Sequence, residues 1–183
     1  MKLDMGCTRC HLARNRRQIV PPDGNPESRV CLLGEAPGKT EDMLGRPFVG
    51  RAGRMLDTLM AKAGLSRQKV FITNVVKCRP PANRRPKSDE MEACFVYLAE
   101  ELEGKELVVA LGRTACLDLL GREVRLIEEA NRLYETDVLG RKILILPTYH
   151  PAACLFNKEA RDVLYRSLRF VCDYLEGKVN TQH

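Results

Sequence analysis

Cys7 and Cys10 form a C-x2-C pair near the start of the chain, and Cys78 and Cys94 follow after two long separations. A C-x2-C pair converges readily on one metal centre, and two further thiolates complete a four-sulfur ligand set. Spacing alone leaves structural zinc and a four-iron cluster both open. Cys31, Cys116, Cys154 and Cys172 lie in apolar or helical surroundings and read as packing thiols. A second candidate is the stretch GEAPGKT, Gly34 to Thr40, which follows the apolar run VCLL and ends like a phosphate-binding P-loop. Only Glu35, Ala36 and Pro37 separate its glycines. A P-loop needs one residue more to curl its N–H groups around a phosphate. Pro37 has no N–H to donate, and Glu35 places negative charge where the anion would lie. The stretch is not a phosphate cradle. Two other polar residues stand at ends of apolar runs. Asn74, after FIT, offers a donor and an acceptor on one amide. His150 precedes Pro151, which disfavours helix at the histidine and suits the tip of an extended segment.

These residues need elements to bring them together. Apolar runs bounded by turns predict strands over about 29–34, 69–76, 106–111 and 142–147. Helical periodicity covers 50–63, with Gly64 as a stop, and shorter or final helices fit 112–120 and 158–176. Ser88 is expected to cap a helix that begins at Asp89-Glu90, whose acids suit its positive end. Strands alternating with helices predict an α/β fold: a three-layer α/β/α sandwich around a central, mostly parallel four-stranded sheet. Such sheets place their sites beyond the carboxyl ends of the strands. The loops 34–49, 74–87 and 148–157 fall there.

With 44% hydrophobic and 30% charged residues, 183 residues make one globular domain spanning 1–183. No apolar run approaches a membrane span and no signal-peptide core is present, so a cytoplasmic protein is expected, with reduced thiols and no membrane partner. The net charge of +6 is concentrated at Arg14, Arg16 and Arg17, at Arg46, Arg51 and Arg54, and at Lys77, Arg79, Arg84, Arg85 and Lys87. That pattern fits either a solvated surface or a nucleic-acid footprint. Scarce aromatics argue against a broad single-strand stacking platform.

Four segments in order, GEAPG (34–38), GRPFVGRAG (45–53), FITNVVKCRPPANRRP (71–86) and PTYHPA (147–152), resemble the family 4 uracil-DNA glycosylases. With the four cysteines the resemblance spans about positions 7 to 155. It implies a DNA-repair hydrolase that cuts the N-glycosidic bond of uracil in DNA and leaves an abasic site. It also implies one [4Fe-4S] cluster on Cys7, Cys10, Cys78 and Cys94, structural in role, which lowers the formal charge to about +4.

Carried over residue by residue, the resemblance makes Glu35, Asn74 and His150 catalytic, and places Gly34, Ala36, Phe48, Asn74 and His150 around the base. Asn74 would meet O4 and N3–H of uracil, His150 would donate to O2, and Phe48 would lie against the flipped base. Glu35 would orient water or face the cationic sugar, with Ala36 standing where related glycosylases carry an Asp. Asp42 either contributes or braces its loop. Arg51, Arg79 and Arg84 would hold phosphates, and Leu155 and Phe156 would form an apolar wedge in the loop 147–156. The expected partner is uracil-containing DNA, single- or double-stranded, bound by a monomer. The rival readings are a non-catalytic iron–sulfur DNA-binding protein, a redox sensor, and a related glycosylase with altered lesion preference.

Overall fold

The structure, a computed structural model, describes residues 2–179. Its six strands are β1 (Asp23–Gly24), β2 (Val30–Gly34), β3 (Phe71–Asn74), β4 (Leu107–Leu111), β5 (Tyr134–Val138) and β6 (Arg141–Thr148). They form one sheet in the order β1-β3-β2-β4-β6-β5. The helices are α1 (Lys39–Leu44), α2 (Arg51–Ala63), α3 (Ser88–Glu101), α4 (Arg113–Leu120), α5 (Leu126–Glu129) and α6 (Lys158–Leu175).

The four expected strands are the parallel centre of this sheet, but the sheet has six strands, not four. Each edge gains one antiparallel strand, β1 against β3 and β5 against β6. Neither added strand carries an apolar run. β1 is two residues long, and β5 reads YETDV with only its last residue fully buried. The β5–β6 hairpin turns through Leu139 (φ 52°) and Gly140 (φ 80°), with Val138 paired to Arg141. Two positive φ values in a two-residue loop are the mirror-image turn that matches strand twist.

The sheet is packed on both faces. Strand residues alternate in side: Cys31, Leu33, Val108 and Ala110 join the core beneath α3 and α4, with Leu98, Leu102, Ala115 and Leu119. Val30, Leu32, Val109 and Leu111 join the other, with Leu56, Met60, Leu164 and Leu168 of α2 and α6. Each buried Leu, Val or Met among them contributes about 1.5–3 kcal/mol relative to exposure. Gly64 ends α2 in the left-handed conformation (φ 84°), as its position predicts. Ser88 does not cap α3; it is the first helical residue, and the cap position belongs to Lys87. Glu90 reaches back to accept from the Lys87 backbone N–H at 2.8 Å, the reciprocal half of a capping box. Among the described residues no helix is long and apolar enough to cross a membrane.

Strand register positions the site. Gly34 pairs directly with Asn74 across β2 and β3, and Leu111 pairs with Thr148 across β4 and β6. All four central strands therefore end together, and β2 and β4 flank the point where strand order reverses. In α/β sheets a crevice opens at that point.

Candidate active site

The crevice holds a cavity of about 500 Å3 lined by Glu35, Ala36, Phe48, Asn74 and His150, with Gly38, Asn83 and Gly112–Thr114 completing the wall. The sheet thus brings together every catalytic residue expected from sequence. Gly34 lies just beneath them. A Cβ at Gly34 would overlap both Asn74 Oδ1 and the Phe48 ring, so only glycine lets these two side chains meet there. Gly34→Ala should cost about 1–3 kcal/mol through overpacking. Displacing both side chains should also slow any reaction that depends on their placement about 100-fold. Thermal denaturation and a single-turnover assay on the same preparation check the two effects.

Asn74 is 4% exposed, yet its Oδ1 has no hydrogen-bond partner among the described residues. An orphaned buried acceptor costs about 1–3 kcal/mol. That cost is recovered if a ligand brings an N–H to it. The backbone behind it is firmly held. Lys77, 1% exposed, donates through Nζ to Asn74 O at 2.5 Å, to Thr73 Oγ1 at 2.7 Å and to Glu101 Oε2 at 2.6 Å. All three ammonium protons are used, as a buried charge requires.

His150 sits half-buried in the opposite wall, its ring centroid 5.7 Å from that of Phe48 at an interplanar angle of 33°. The backbone N–H of Ala152 donates to Nδ1 at 3.1 Å, so Nδ1 is the bare nitrogen and Nε2 carries the proton. Burial pulls the imidazole down to about 4, only partly opposed by the negative charge of Glu41. The group is a neutral donor near pH 7.

Glu35 accepts a hydrogen bond at Oε2 from the Thr114 hydroxyl at the start of α4. This bond ties the loop after β2 to the loop after β4, and it leaves Oε1 as the second carboxylate oxygen. The segment 112–114 was missed in the sequence because it carries no apolar or cysteine signal. Its signal was topological: β4 is also a parallel strand, so its carboxyl end must open on the same crevice. Gly112 (φ 94°) lets this turn pass close to His150: a Cβ at position 112 would lie 3.1 Å from His150 Cβ.

Asp42 lies outside the cavity lining and braces a loop. It accepts from the backbone N–H of Arg17 at 2.9 and 3.1 Å. Arg84 reaches the cavity rim, but its guanidinium forks onto Glu90 at 2.8 and 2.6 Å. Arg79 donates to Asn83 Oδ1 at 2.7 Å, between two residues at positive φ (Ala82 and Asn83) and the β3 end. Arg51 is exposed and stands 5.7 Å over the ring of Phe156, which is itself 84% exposed. Leu155 is half-buried within the short turn Ala153–Leu155. The loop is shorter than expected, because Pro147 and Thr148 belong to β6.

The four candidate ligands surround one narrow hollow on the α3 side, lined by Cys7, Cys10, Cys78, Cys94, Arg16 and Tyr97 among others. Arg16 Nη1 lies 3.6 Å from Cys78 Sγ. Burial pushes the Cys78 thiol up to about 11, while the Arg16 charge pulls the other way. Among the described residues no carboxylate lines the hollow, while Arg9 and Arg16 do; the negative charges of Glu90 and Glu101 act on Cys10 and Cys94 from further off. Among the described residues no three His, Cys, Asp or Glu side chains are placed to hold a single metal ion. The thiols therefore share a hollow without closing on one point. The remaining cysteines are buried, and burial pushes Cys31 and Cys116 to about 12 and Cys154 to about 11, as expected for packing thiols.

Comparison with known proteins bears on this arrangement. Residues 21–171 match the family model described as the uracil DNA glycosylase superfamily. A type-4 uracil-DNA glycosylase of Saccharolobus solfataricus is 42% identical over 94% of this chain and 83% of its own. One from Archaeoglobus fulgidus is 40% identical over 86% of this chain and 82% of its own. One from Thermotoga maritima is 42% identical over 83% of this chain and 79% of its own. A solution NMR structure of a candidate uracil DNA glycosylase from Methanosarcina acetivorans shares the fold, with a TM-score of 0.51 at 17% identity, covering 86% of this chain and 97% of that one. A crevice at the strand ends with an orphaned amide, a neutral imidazole and a carboxylate is thus found in a chain that belongs to the uracil DNA glycosylase superfamily and, within it, to the type-4 uracil-DNA glycosylases.

Proposed function

We propose that the protein is a DNA-repair hydrolase that releases uracil from DNA and leaves an abasic site. The observation that carries the site assignment is that Asn74, whose buried Oδ1 finds no partner among the described residues, lines a cavity together with His150 and Glu35. Uracil N3–H is the proton that acceptor lacks, and the amide NH2 can donate to O4. Cytosine presents the reverse pattern, so it loses this match as long as the amide keeps this orientation. An uracil paired in a duplex cannot reach the cavity, so the nucleotide leaves the stack first. Phe48, Gly34 and Ala36 then bound the base.

The bond between C1′ and N1 breaks with its electron pair leaving on uracil. The sugar becomes an oxocarbenium-like cation. Nε2–H of His150 donates to O2 as negative charge grows there. Glu35, fixed through Oε2 by Thr114, faces the cationic sugar and accepts the proton of the water that adds to C1′. Arg51 and Arg79 hold backbone phosphates, and Phe156, braced by Arg51, enters the space the base vacates, with Leu155 beneath it. Arg84 acts chiefly through Glu90, shaping the loop that Arg79 and Asn83 occupy.

Cys7, Cys10, Cys78 and Cys94 fit one [4Fe-4S] cluster. Four thiols share a hollow without meeting at one point, and Arg9 and Arg16 line it, which suits an anionic cluster–thiolate unit. When bound, it supplies a cross-link between the N-terminal segment, the end of the β3 loop and α3. Protein purified without air should be brown and hold about four iron and four sulfide per chain. Cys78→Ser should lose most of both. Stoichiometric zinc in the native protein contradicts the assignment.

An oligonucleotide bearing one uracil tests the activity. Strand cleavage by alkali after incubation supports excision. Tight binding without cleavage, from iron-loaded protein across pH and salt, favours a DNA-binding protein that does not turn over.

A further inference from the structure

Phe48 holds a backbone conformation (φ 52°) that residues with a Cβ rarely adopt. Such a conformation persists only where its surroundings impose it. The surroundings are unusually specific. Arg67, on the short turn Arg67–Lys69 that leads into β3, donates from Nη2 to Phe48 O and from Nη1 to Pro47 O at 2.9 Å. Its other N–H groups reach Asp57 Oδ1 at 2.8 Å, Asp57 Oδ2 at 3.3 Å and Asp23 Oδ2 at 3.0 Å. A guanidinium has five N–H donors, and each has an acceptor here. The side chain is only 18% exposed, so these bonds are largely shielded from competing water. On the far side, Gly53 of α2 leaves space for the same carbonyl: a Cβ there would overlap Phe48 O and C. Glu41 completes the grip by accepting from the N–H groups of Val49 at 3.0 Å and Gly50 at 2.7 Å.

We propose that Arg67, which lies outside the cavity, is a positioning residue of the base pocket: it sets the backbone turn at Phe48 and so aims the ring against Gly34 and His150. This inference rests on the Phe48 cavity being the uracil site. Two carbonyls fixed by one planar fork define an orientation as well as a distance. Lysine supplies a point charge and no fork, so it cannot replace arginine. Without the fork, Phe48 relaxes to an ordinary φ and its ring leaves the pocket wall. A flipped uracil is then held less well, while the phosphate-facing residues Arg51 and Arg79 remain in place.

A merely structural Arg67 predicts something different: lower thermal stability, but normal excision per folded molecule well below the melting temperature. Arg67→Lys and Gly53→Ala separate the two, because the second disturbs the same carbonyl from the opposite side without touching Arg67. Each is assayed in the holoprotein, well below its own melting temperature, for single-turnover excision, for inhibition by free uracil and for binding of undamaged duplex. Both variants should lose about 100-fold in excision. Both should also be inhibited far less by free uracil, with undamaged-DNA binding unchanged. Free guanidinium at millimolar concentration should restore part of the excision to Arg67→Ala and none to Gly53→Ala. Wild-type excision and uracil inhibition in Arg67→Lys overturn the proposal. If Arg67→Lys does not accumulate folded, Arg67→Ala with and without free guanidinium decides on the same readouts: restored excision and uracil inhibition support the proposal, and wild-type values without guanidinium overturn it. Failure of the wild-type protein to excise or to be inhibited by uracil overturns the pocket assignment itself, and this proposal with it.

Discussion

Asn74→Ala should lower uracil excision about 100- to 1,000-fold while leaving DNA binding close to wild type. The side chain and the backbone of Asn74 have separate duties. Its backbone pairs in register with Gly34 and is gripped by Lys77, so the strand end survives truncation of the amide. Its Oδ1 is buried and makes no hydrogen bond among the described residues. Removing it relieves a desolvation cost of about 1–3 kcal/mol, which offsets much of the packing lost. The variant should therefore melt within a few degrees of wild type, the pattern of a residue kept for function at the expense of stability. A large drop in melting temperature would mean that the amide has a structural partner. Equal losses in binding and excision would argue against base recognition.

His150→Ala should reduce single-turnover excision by a similar factor, because a preorganised donor to the leaving oxygen is removed from a partly dry site. The pH dependence distinguishes a neutral donor from an imidazolium. Burial holds His150 near 4, against about 6.5 when unfolded, so it stays neutral through the physiological range. Excision should show no inflection near pH 6.5 that vanishes in His150→Ala. Stability has the opposite sensitivity. Between about pH 6.5 and 4 the unfolded histidine binds a proton that the folded one does not. Stability then rises with pH across that window and falls as the solution is acidified. Replacing His150 by Gln should flatten that slope, which denaturant titration at several pH values measures.

The centre of the fold was legible because it is written in apolar runs. VCLL, FIT, LVVAL and ILIL are buried on both faces, and such strands need no alternation to be recognised. The edges were not, because β1 is too short to carry a pattern and β5 is polar on its outer side. The hairpin turn uses Leu139-Gly140, which lacks the Asn or Asp that ordinarily marks a mirror-image turn. Much the same holds for the site. Glu35, Asn74 and His150 lie at or just beyond strand ends, where the fold class already directs attention. Thr114 and Arg67 do not announce themselves: one is a helix-start threonine and the other a surface-like arginine in SRQK. Their importance comes from which backbone and carboxylate atoms the register of β2, β3 and β4 places beside them. Arg84 shows the converse. Its position in RRP suggests a phosphate contact, and only the fold reveals that Glu90 occupies its guanidinium.

The central claim is that one cavity both reads uracil and cleaves its bond, with recognition resting on the Asn74 amide. The most direct measurement is the amount of free uracil base released in a single turnover from a uracil-containing oligonucleotide, by wild-type protein and by Asn74→Ala, with DNA binding measured on the same samples. Wild type should release about one uracil per abasic site formed and far less base from the matching cytosine strand. Asn74→Ala should bind the uracil strand and release almost nothing. Release by Asn74→Ala at the wild-type rate, or no release by iron-loaded wild type, would contradict the account.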